Sequence, residues 1–203
     1  EEEKYPEALH YFKTAVQLAD STYGESSIPS VKYLKNTALC HQELGELDQA
    51  FRELDQAIGI LVKGELGKDW SQVQAPLELL RVLEAKANTY YQQGDLKQAS
   101  RFYVFALDLL DNLRLYYHDY HSKQKINEYN ISLFEQSLQT YFALSQEEGI
   151  SNTAEDIMRV LEQSKSLLLL DALLKSEATT MGGIPDSLIR EEGKILEKIN
   201  TLE

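Results

Sequence analysis

Apolar residues recur at spacings of three and four positions along almost the whole chain, and no stretch alternates between apolar and polar residues. Because that spacing places apolar side chains on one face of a helix, the pattern predicts an all-α protein. Glycines, prolines and charged clusters divide the pattern into segments. The predicted helices span about residues 2–22, 29–44, 47–63, 71–93, 96–118, 123–147, 152–177 and 186–202.

Three polar or glycine-containing segments are predicted to separate these helices. The sequences KGELGKDW and HDYHSKQK have the composition of exposed turns. The sequence SEATTMGGIP contains two glycines and a proline, which interrupt helical periodicity. We therefore expect a separate element to begin at Ile184.

Two segments repeat one pattern of residues at an offset of 49 positions, residues 45–57 (GELDQAFRELDQA) and residues 94–106 (GDLKQASRFYVFA). Each has a glycine, an acidic residue and a leucine, followed by alanines three and ten positions after the leucine. The glycine can end one helix in a left-handed conformation, so that the next helix runs antiparallel. The two alanines fall on one helix face, where small side chains let two helices approach closely.

Weaker copies of this pattern flank the two clear ones. Residues 5–15 (YPEALHYFKTA) place Ala8 and Ala15 at an offset of 42 from Ala50 and Ala57, and we expect this copy to lack its first helix. After Gly149, the series Ala154, Met158 and Leu161 has the same spacing. The chain therefore reads as a partial repeat followed by three longer ones.

The helix before each repeated segment carries alternating large and small residues. They are Leu34, Ala38, His41 and Gly45 in one helix and Leu83, Ala87, Tyr90 and Gly94 in the other. Together these features resemble the tetratricopeptide repeat (TPR), here in an extended form with lengthened loops. The resemblance implies antiparallel hairpins stacked as a superhelical solenoid, with an extra C-terminal helix. It divides the chain into a repeat domain at 1–176, with a partial repeat at 1–22 and repeats at about 29–63, 71–118 and 123–177, and a helix at 184–203 that leads to an absent domain.

In such a solenoid the first helix of every hairpin lines the concave face, which implies a binding surface for a protein or peptide. The predicted partner-binding residues are Lys32, Lys35, Asn36, Arg81, Asn88, Tyr91, Gln92, Gln136 and Gln139. Amide side chains can donate to and accept from a peptide backbone, and the cations can pair with carboxylates. Glu84 and Gln139 depart from the lysine and asparagine clamp with which some TPR proteins hold a C-terminal carboxylate. The alternative is an ordinary hydrated helix surface.

A second resemblance covers the end of the chain. The segments AEDIMRVLEQSKSLLLLDALL and GGIPDSLIREEGKILEKI are similar to the junction at which bacterial TPR regions lead into a CHAT domain, a caspase-like cysteine protease fold. The matching residues are Glu162, Ser164, Lys165, Leu168, Asp171, Leu174, Ile184, Pro185, Leu188, Glu191 and Leu196. The resemblance implies a scaffold that regulates or targets such a protease by binding a partner or the protease domain itself. The alternative is a self-sufficient sensor of a short signalling peptide.

Composition narrows the classes of partner. The chain carries a formal net charge of −13, which opposes the attraction to phosphates on which nucleic-acid binding depends. The longest apolar run, residues 167–170, is far shorter than the roughly 20 residues of a membrane span. The exposed apolar positions predicted after Ile184 leave open a homodimer through the final helix. A single cysteine, Cys40, fits a reducing interior, so a cytoplasmic location is expected.

No catalytic site, cofactor or metal is predicted for this chain. Cys40 and His41 are neighbours whose side chains point about 100° apart on a helix, so the histidine cannot serve as the base for the thiol. Cys40 is expected to be a small core residue. His118 and His121 can share a helix face, but two ligands do not make a metal site. The fragment is therefore expected not to be an enzyme.

Overall fold

A computed structural model describes the backbone of residues 4–116 and 120–181, and the side chains of residues 4–113 and 131–165. Within these ranges the chain forms seven α-helices, one short 3-10 helix and no strand, which confirms the predicted all-α class. The helices are α1 (Lys4–Tyr23), α2 (Ile28–Glu43), α3 (Leu47–Leu61), α4 (Pro76–Gln93), α5 (Leu96–Tyr116), α6 (Tyr120–Glu148) and α7 (Ile150–Met181). No described helix is long and apolar enough to cross a membrane.

The two repeated glycines end their helices in the same way. Gly45 has φ +75° and Gly94 has φ +85°, both in the left-handed region. In each case the N–H of the residue after the glycine donates to the carbonyl five positions earlier, Glu46 to His41 at 2.8 Å and Asp95 to Tyr90 at 3.0 Å. This bonding satisfies carbonyls at the end of the helix and reverses the chain. The sequence repeat therefore corresponds to a repeated turn.

The repeated alanines are the close-packing positions of the hairpins. Each of the four is completely inaccessible to solvent: Ala50, Ala57, Ala99 and Ala106. Between the second pair lies Tyr103, which is only 1% exposed. The prediction that small side chains hold the helices together is confirmed. The helices α2 and α3 form one such hairpin, and α4 and α5 form the next.

An aromatic cluster joins the two hairpins. The rings of Phe51 and Tyr90 have centroids 4.4 Å apart, and those of Tyr90 and Phe102 lie 5.4 Å apart. The ammonium group of Lys86 lies 4.6 Å from the centre of the Phe102 ring and forms an ion pair with Asp55. Ring contacts and the cation over the ring add to the apolar burial that holds α3, α4 and α5 together.

The long segment between α3 and α4 is packed at its middle. Gly67 has φ +85°, and a Cβ atom at this position would lie 2.6 Å from Cε1 of Phe105. Further along, the Asp69 side chain accepts a hydrogen bond from the Ser71 N–H at 2.9 Å and caps the 3-10 helix at Trp70–Gln72. This capped turn explains why α4 begins at Pro76 and not near residue 71 as predicted.

Two other predicted boundaries were wrong. The segment HDYHSKQK was expected to be an exposed turn, but its residues 120–125 belong to α6, and its first two residues lie outside the described part of the chain. Neither glycine nor proline occurs in residues 120–125, so these residues can join the helix. The break predicted over residues 176–185 (SEATTMGGIP) does not begin at residue 176, because α7 continues to Met181. The predicted helix after Ile184 lies outside the described residues, as do the side chains of His118 and His121.

The last copy of the repeat was predicted in the wrong register. Ala154 and Met158 are exposed, whereas the buried side chains are Thr153, Ile157 and Val160. In the clear copies one acidic residue separates the glycine from the first helical residue, but α7 begins at Ile150, directly after Gly149. Because this turn is one residue shorter, the buried positions lie one residue closer to the N-terminus than predicted.

The chain divides into two compact units, Glu1–Ile157 and Met158–Glu203. The stacked hairpins and both grooves considered below belong to the first unit. Its successive helices pack in chain order from α1 to α6, and α4 also contacts α2 and α6. This second set of contacts brings the first helices of successive hairpins side by side.

Candidate functional site

The surface formed by α2, α4 and α6, which we call the first-helix face, carries the residues predicted to bind a partner. Contacts of α4 with both α2 and α6 place the three helices next to one another. Side chains that are about 49 residues apart in sequence therefore become neighbours on this face. The predicted residues occur on all three helices, so the packing decides which of them meet.

A polar groove of about 220 Å³ lies between α2 and α4 on this face. Its lining consists of Lys35, Leu39, Arg81, Glu84, Ala85 and Asn88. Three of the predicted partner-binding residues, Lys35, Arg81 and Asn88, thus converge in one place. Leu39 is 38% exposed and supplies apolar surface beside the charged groups.

Burial and neighbouring charges shift the pKa values of two groove residues, Lys35 downwards and Glu84 upwards. Burial lowers the pKa of Lys35, and the positive charge of Arg81 lowers it further. Burial raises the pKa of Glu84, against a hydrogen bond from Ser132 and the charges of Lys35 and Arg81. Both shifts follow from the cost of placing an ion where water has limited access. Each shift disfavours the charged form of its group, so the groove does not fully stabilise the charges of Lys35 and Glu84.

Beneath the groove, a polar network ties α4 to α5 and α6. The Asn88 amide donates to Gln136 Oε1 at 2.9 Å, and the Tyr103 hydroxyl donates to Asn88 Oδ1. The Gln136 amide donates to Ser132 Oγ at 3.1 Å, and that hydroxyl donates to Glu84 Oε1 at 3.0 Å. Such a network fixes the rotamers of Asn88 and Glu84, the two members of the network that line the groove.

The remaining predicted residues lie elsewhere on α2, α4 and α6. Asn36 and Tyr91 are half-buried, whereas Gln92 and Gln139 are exposed. None of these four lines the polar groove. Lys32 is exposed and lines a different groove, between α1 and α2. The set of nine is therefore distributed over the face, and its binding role stays a prediction.

Sequence reasoning missed the supporting role of Tyr103 and Ser132. Tyr103 lies between two buried alanines of α5, and its hydroxyl is part of the network. Burial, more than any neighbouring charge, raises its pKa. Ser132 lies four residues before Gln136 on α6, a spacing that places both on one helix face. No signal within a single helix identifies their partners on α4.

The environment of Cys40 agrees with the predicted structural role of this residue. The side chain is 5% exposed, and burial together with the charge of Glu43 raises the pKa of the thiol. A raised pKa disfavours the thiolate that a cysteine nucleophile needs. His41 Nδ1 lies 2.6 Å from an oxygen of Glu46.

The fold and the groove define a protein of TPR-like helical hairpins with a polar surface on its first helices. No protein-family model and no curated protein matches the chain. Among solved structures, the chain is similar to the nearly identical TPR-like repeats assigned to a kinesin light chain of Podosopora anserina. The identity is 14% and the TM-score 0.43, covering 81% of this chain and 87% of that chain. A Q17M form of those repeats has 14% identity and a TM-score of 0.42, covering 88% and 89%.

Proposed function

We propose that the chain is a protein-interaction scaffold that holds an extended, acidic segment of a partner on its first-helix face. The observation that carries this proposal is the polar groove, where Lys35 and Arg81 lie together in a chain of net charge −13. The two cations attract an anionic side chain, although Arg81 also lies 3.6 Å from a carboxylate oxygen of Glu78 and Glu84 lines the same groove. Burial raises the pKa of Glu84 and so disfavours its ionised form. The acidic surroundings repel the rest of an acidic partner, so its carboxylate would have to enter the groove itself.

The chemistry of the groove suits an aspartate or glutamate side chain. Its carboxylate would lie between Lys35 and Arg81, and its methylene groups would contact Leu39 and Ala85. A carboxylate next to Lys35 would oppose the burial that lowers the pKa of this lysine. Binding would then be accompanied by a rise in the Lys35 pKa.

A titration with two matched peptides tests this proposal. The probes are an acetylated and amidated hexapeptide of alternating glycine and aspartate, and the same peptide with asparagine in place of aspartate. NMR signals of the Lys35 and Arg81 side chains are expected to shift on addition of the aspartate peptide and not of the asparagine peptide. Binding should weaken as salt rises, because exposed charges are screened.

A pair of lysine variants makes the titration specific. Lys35→Met keeps the apolar stem but removes the charge, and it is expected to abolish the shifts at Arg81. Lys63→Met removes an exposed charge outside the groove and should leave them unchanged. Equal responses to both peptides, or an unchanged response in Lys35→Met, would contradict the proposal.

The junction resemblance supports an extension of this proposal, in which the scaffold is the regulatory or targeting region of a CHAT-type cysteine protease. Its basis is the sequence of residues 154–174 together with the segment after Gly182. Sequencing the complete reading frame tests it. A protease domain with a histidine and a cysteine is expected after Glu203, and its absence would contradict the protease link without affecting peptide binding.

A peptide sensor is the second candidate, and one observation favours it. The polar groove is lined by residues of α2 and α4, which belong to different hairpins. A ligand that contacts both hairpins can change the angle between them. Small-angle X-ray scattering should then show a smaller radius of gyration when the aspartate peptide saturates the chain. An unchanged radius at saturation would support a rigid scaffold instead.

A further inference from the structure

Glu84 lines the polar groove together with the two cations Lys35 and Arg81. The groove has a volume of about 220 Å³, so a partner carboxylate that enters it comes close to the Glu84 carboxyl group. Two carboxylates confined to one small site repel each other, and one of them then binds a proton more readily. Occupancy of the groove and protonation of Glu84 are therefore coupled.

Hydrogen bonds hold the Glu84 carboxyl group in place. The Ser132 hydroxyl donates to Oε1 of Glu84 at 3.0 Å, and the Ser132 oxygen accepts a hydrogen bond from the Gln136 amide at 3.1 Å. Because the amide is the donor to Ser132, the single hydroxyl proton of Ser132 is directed at Glu84. The Oε1 atom is therefore an acceptor, and a proton taken up by the carboxyl group belongs on Oε2.

Two cations act on Glu84, and a partner carboxylate would compete for both. Lys35 on α2 and Arg81 on α4 itself favour the ionised form of Glu84, but burial outweighs them and raises its pKa. Arg81 also lies 3.6 Å from a carboxylate oxygen of Glu78. A third carboxylate in contact with these two cations would leave less positive charge to stabilise ionised Glu84.

The other helices packed against α4 present hydroxyl groups and an ion pair. On α5, Tyr103 lies close enough to Glu84 that its pKa, raised mainly by burial, is raised further by the Glu84 charge. On α6, the group in contact with Glu84 is the Ser132 hydroxyl. On α3, Asp55 is paired with Lys86 of α4. The carboxyl group that senses an anion in the groove is therefore that of Glu84.

We propose, on the basis of the function proposed above, that the groove takes up one proton from solvent when it binds a partner carboxylate, and that Glu84 receives this proton on Oε2. The neutral carboxyl group then donates a hydrogen bond to the bound carboxylate instead of repelling it. Binding of the acidic segment is thereby strengthened in mild acid, and the groove responds to pH as well as to the charge of its partner.

The direction of the pH dependence follows from the two states of Glu84. A second anion raises the pKa of Glu84 in the complex above its value in the free chain, so affinity increases as pH falls through the interval between the two values. Affinity declines again when the aspartate of the partner is itself protonated, near its ordinary pKa of about 3.9. Burial raises the pKa of Glu84 above the ordinary value of 4.5, so the two effects occur at different pH.

An NMR titration of Glu84 with the aspartate and asparagine hexapeptides tests the proposal. The shift of the Glu84 carboxyl carbon reports its protonation, and it is followed from acid to neutral pH in the free chain and with each peptide at the same concentration. The aspartate peptide is expected to raise the midpoint for Glu84 by about one pH unit or more. The asparagine peptide should leave it at the value of the free chain. An unchanged midpoint with the aspartate peptide bound would overturn the proposal.

Two glutamine variants assign the proton to a residue. Wild-type affinity for the aspartate peptide, measured from the Arg81 signals, is expected to fall about threefold or more between about pH 5 and pH 7. Glu84→Gln keeps an oxygen for the Ser132 bond but does not titrate, so it should bind more tightly than wild type at pH 7 and lose the pH dependence. Glu43→Gln removes an exposed acid of α2 outside the groove and should keep the wild-type profile. A Glu84→Gln profile equal to that of wild type would overturn the proposal.

The same titrations distinguish two kinds of failure. If the aspartate peptide shifts neither the Lys35 nor the Arg81 signals at any pH, the proposed function fails and the proton uptake fails with it. If the peptide binds equally well at pH 5 and pH 7 with the Glu84 midpoint unchanged, the proposed function stands and the proton uptake alone is overturned. A pH dependence that persists in Glu84→Gln would come from another group, such as His41, which is bonded to Glu46, and would overturn the assignment to Glu84.

Discussion

Single glycines set the direction of the chain at the hairpin turns. Gly94 has φ +85° with nothing within 4 Å of a Cβ added there, so its conformation alone constrains this position. Gly59 lies inside α3 and also has open space around it, but without a left-handed φ. Alanine substitutions at these two positions therefore differ in backbone conformation and not in packing.

Gly94→Ala is expected to destabilise the fold by about 1–2 kcal/mol, because an L-residue in the left-handed region is strained. Gly59→Ala is expected to stabilise it by about 0.5–1 kcal/mol, because alanine favours a helix interior. Urea denaturation followed by circular dichroism measures both changes. A shift of both variants in the same direction would contradict the role assigned to Gly94.

Glu84 is expected to make stability depend on pH. Burial raises its folded-state pKa, so folding favours the protonated form, and the ionised form costs stability at neutral pH. Glu84→Gln should therefore be more stable than wild type at pH 7. Its advantage should decline as pH falls through the folded-state pKa and disappear below about pH 4.

Urea denaturation at several pH values measures this dependence, with Glu43→Gln as the control at an exposed position on α2. The control should show no comparable advantage over wild type at any pH. A Glu84→Gln variant that is less stable than wild type at pH 7 would indicate that the charges of Lys35 and Arg81 outweigh the burial.

At the scale of helices, the close approach within each hairpin depends on the buried alanines. Ala99 is completely inaccessible, so a leucine there must displace packed side chains. We expect Ala99→Leu to destabilise the fold by about 1–3 kcal/mol. Ala154→Leu, at an exposed position on α7, should change stability by less than about 0.5 kcal/mol. Thermal unfolding of both variants tests the register assigned to each helix, and an equal loss of stability would contradict it.

The sequence predicted helices well because glycines and prolines mark most of their ends. The predicted helix boundaries were wrong in two situations. One is an end that depends on side-chain hydrogen bonds, as with Asp69 before α4. The other is a turn that is one residue shorter than in the clear repeats, as after Gly149. Among the groove residues, Lys35, Arg81 and Asn88 were predicted to lie on the binding face because they belong to the first helices of the hairpins. The bonds from Tyr103 and Ser132 were not, because they join different helices and leave no pattern within one.

For the whole molecule, the dominant electrostatic fact is a net charge of −13 on 203 residues. Excess charge of one sign destabilises a compact state through self-repulsion. The described ion pairs act in the opposite sense, but one of them joins Lys68 and Glu65, whose side chains are 76% and 77% exposed. Such pairs contribute little to stability. Repulsion should therefore dominate the response to salt.

We expect the melting temperature to rise as sodium chloride is increased from low concentration to about 0.15 M, where the Debye length falls to about 8 Å. Differential scanning fluorimetry across this range measures the effect, and a potassium chloride series controls for the cation. A melting temperature that falls with salt would show that attractive pairs, such as Lys97 with Glu148 at 2.6 Å, outweigh the repulsion.

The contact between Gly67 and the Phe105 ring has a practical consequence for engineering this chain. The connection between the hairpins is anchored at that point, and any larger residue there has to push the ring aside. Three positions earlier, Gly64 is exposed and nothing lies within 4 Å of an added Cβ. A fluorescent label or an affinity tag therefore belongs beside Gly64, where added residues extend into water and the anchor stays in place.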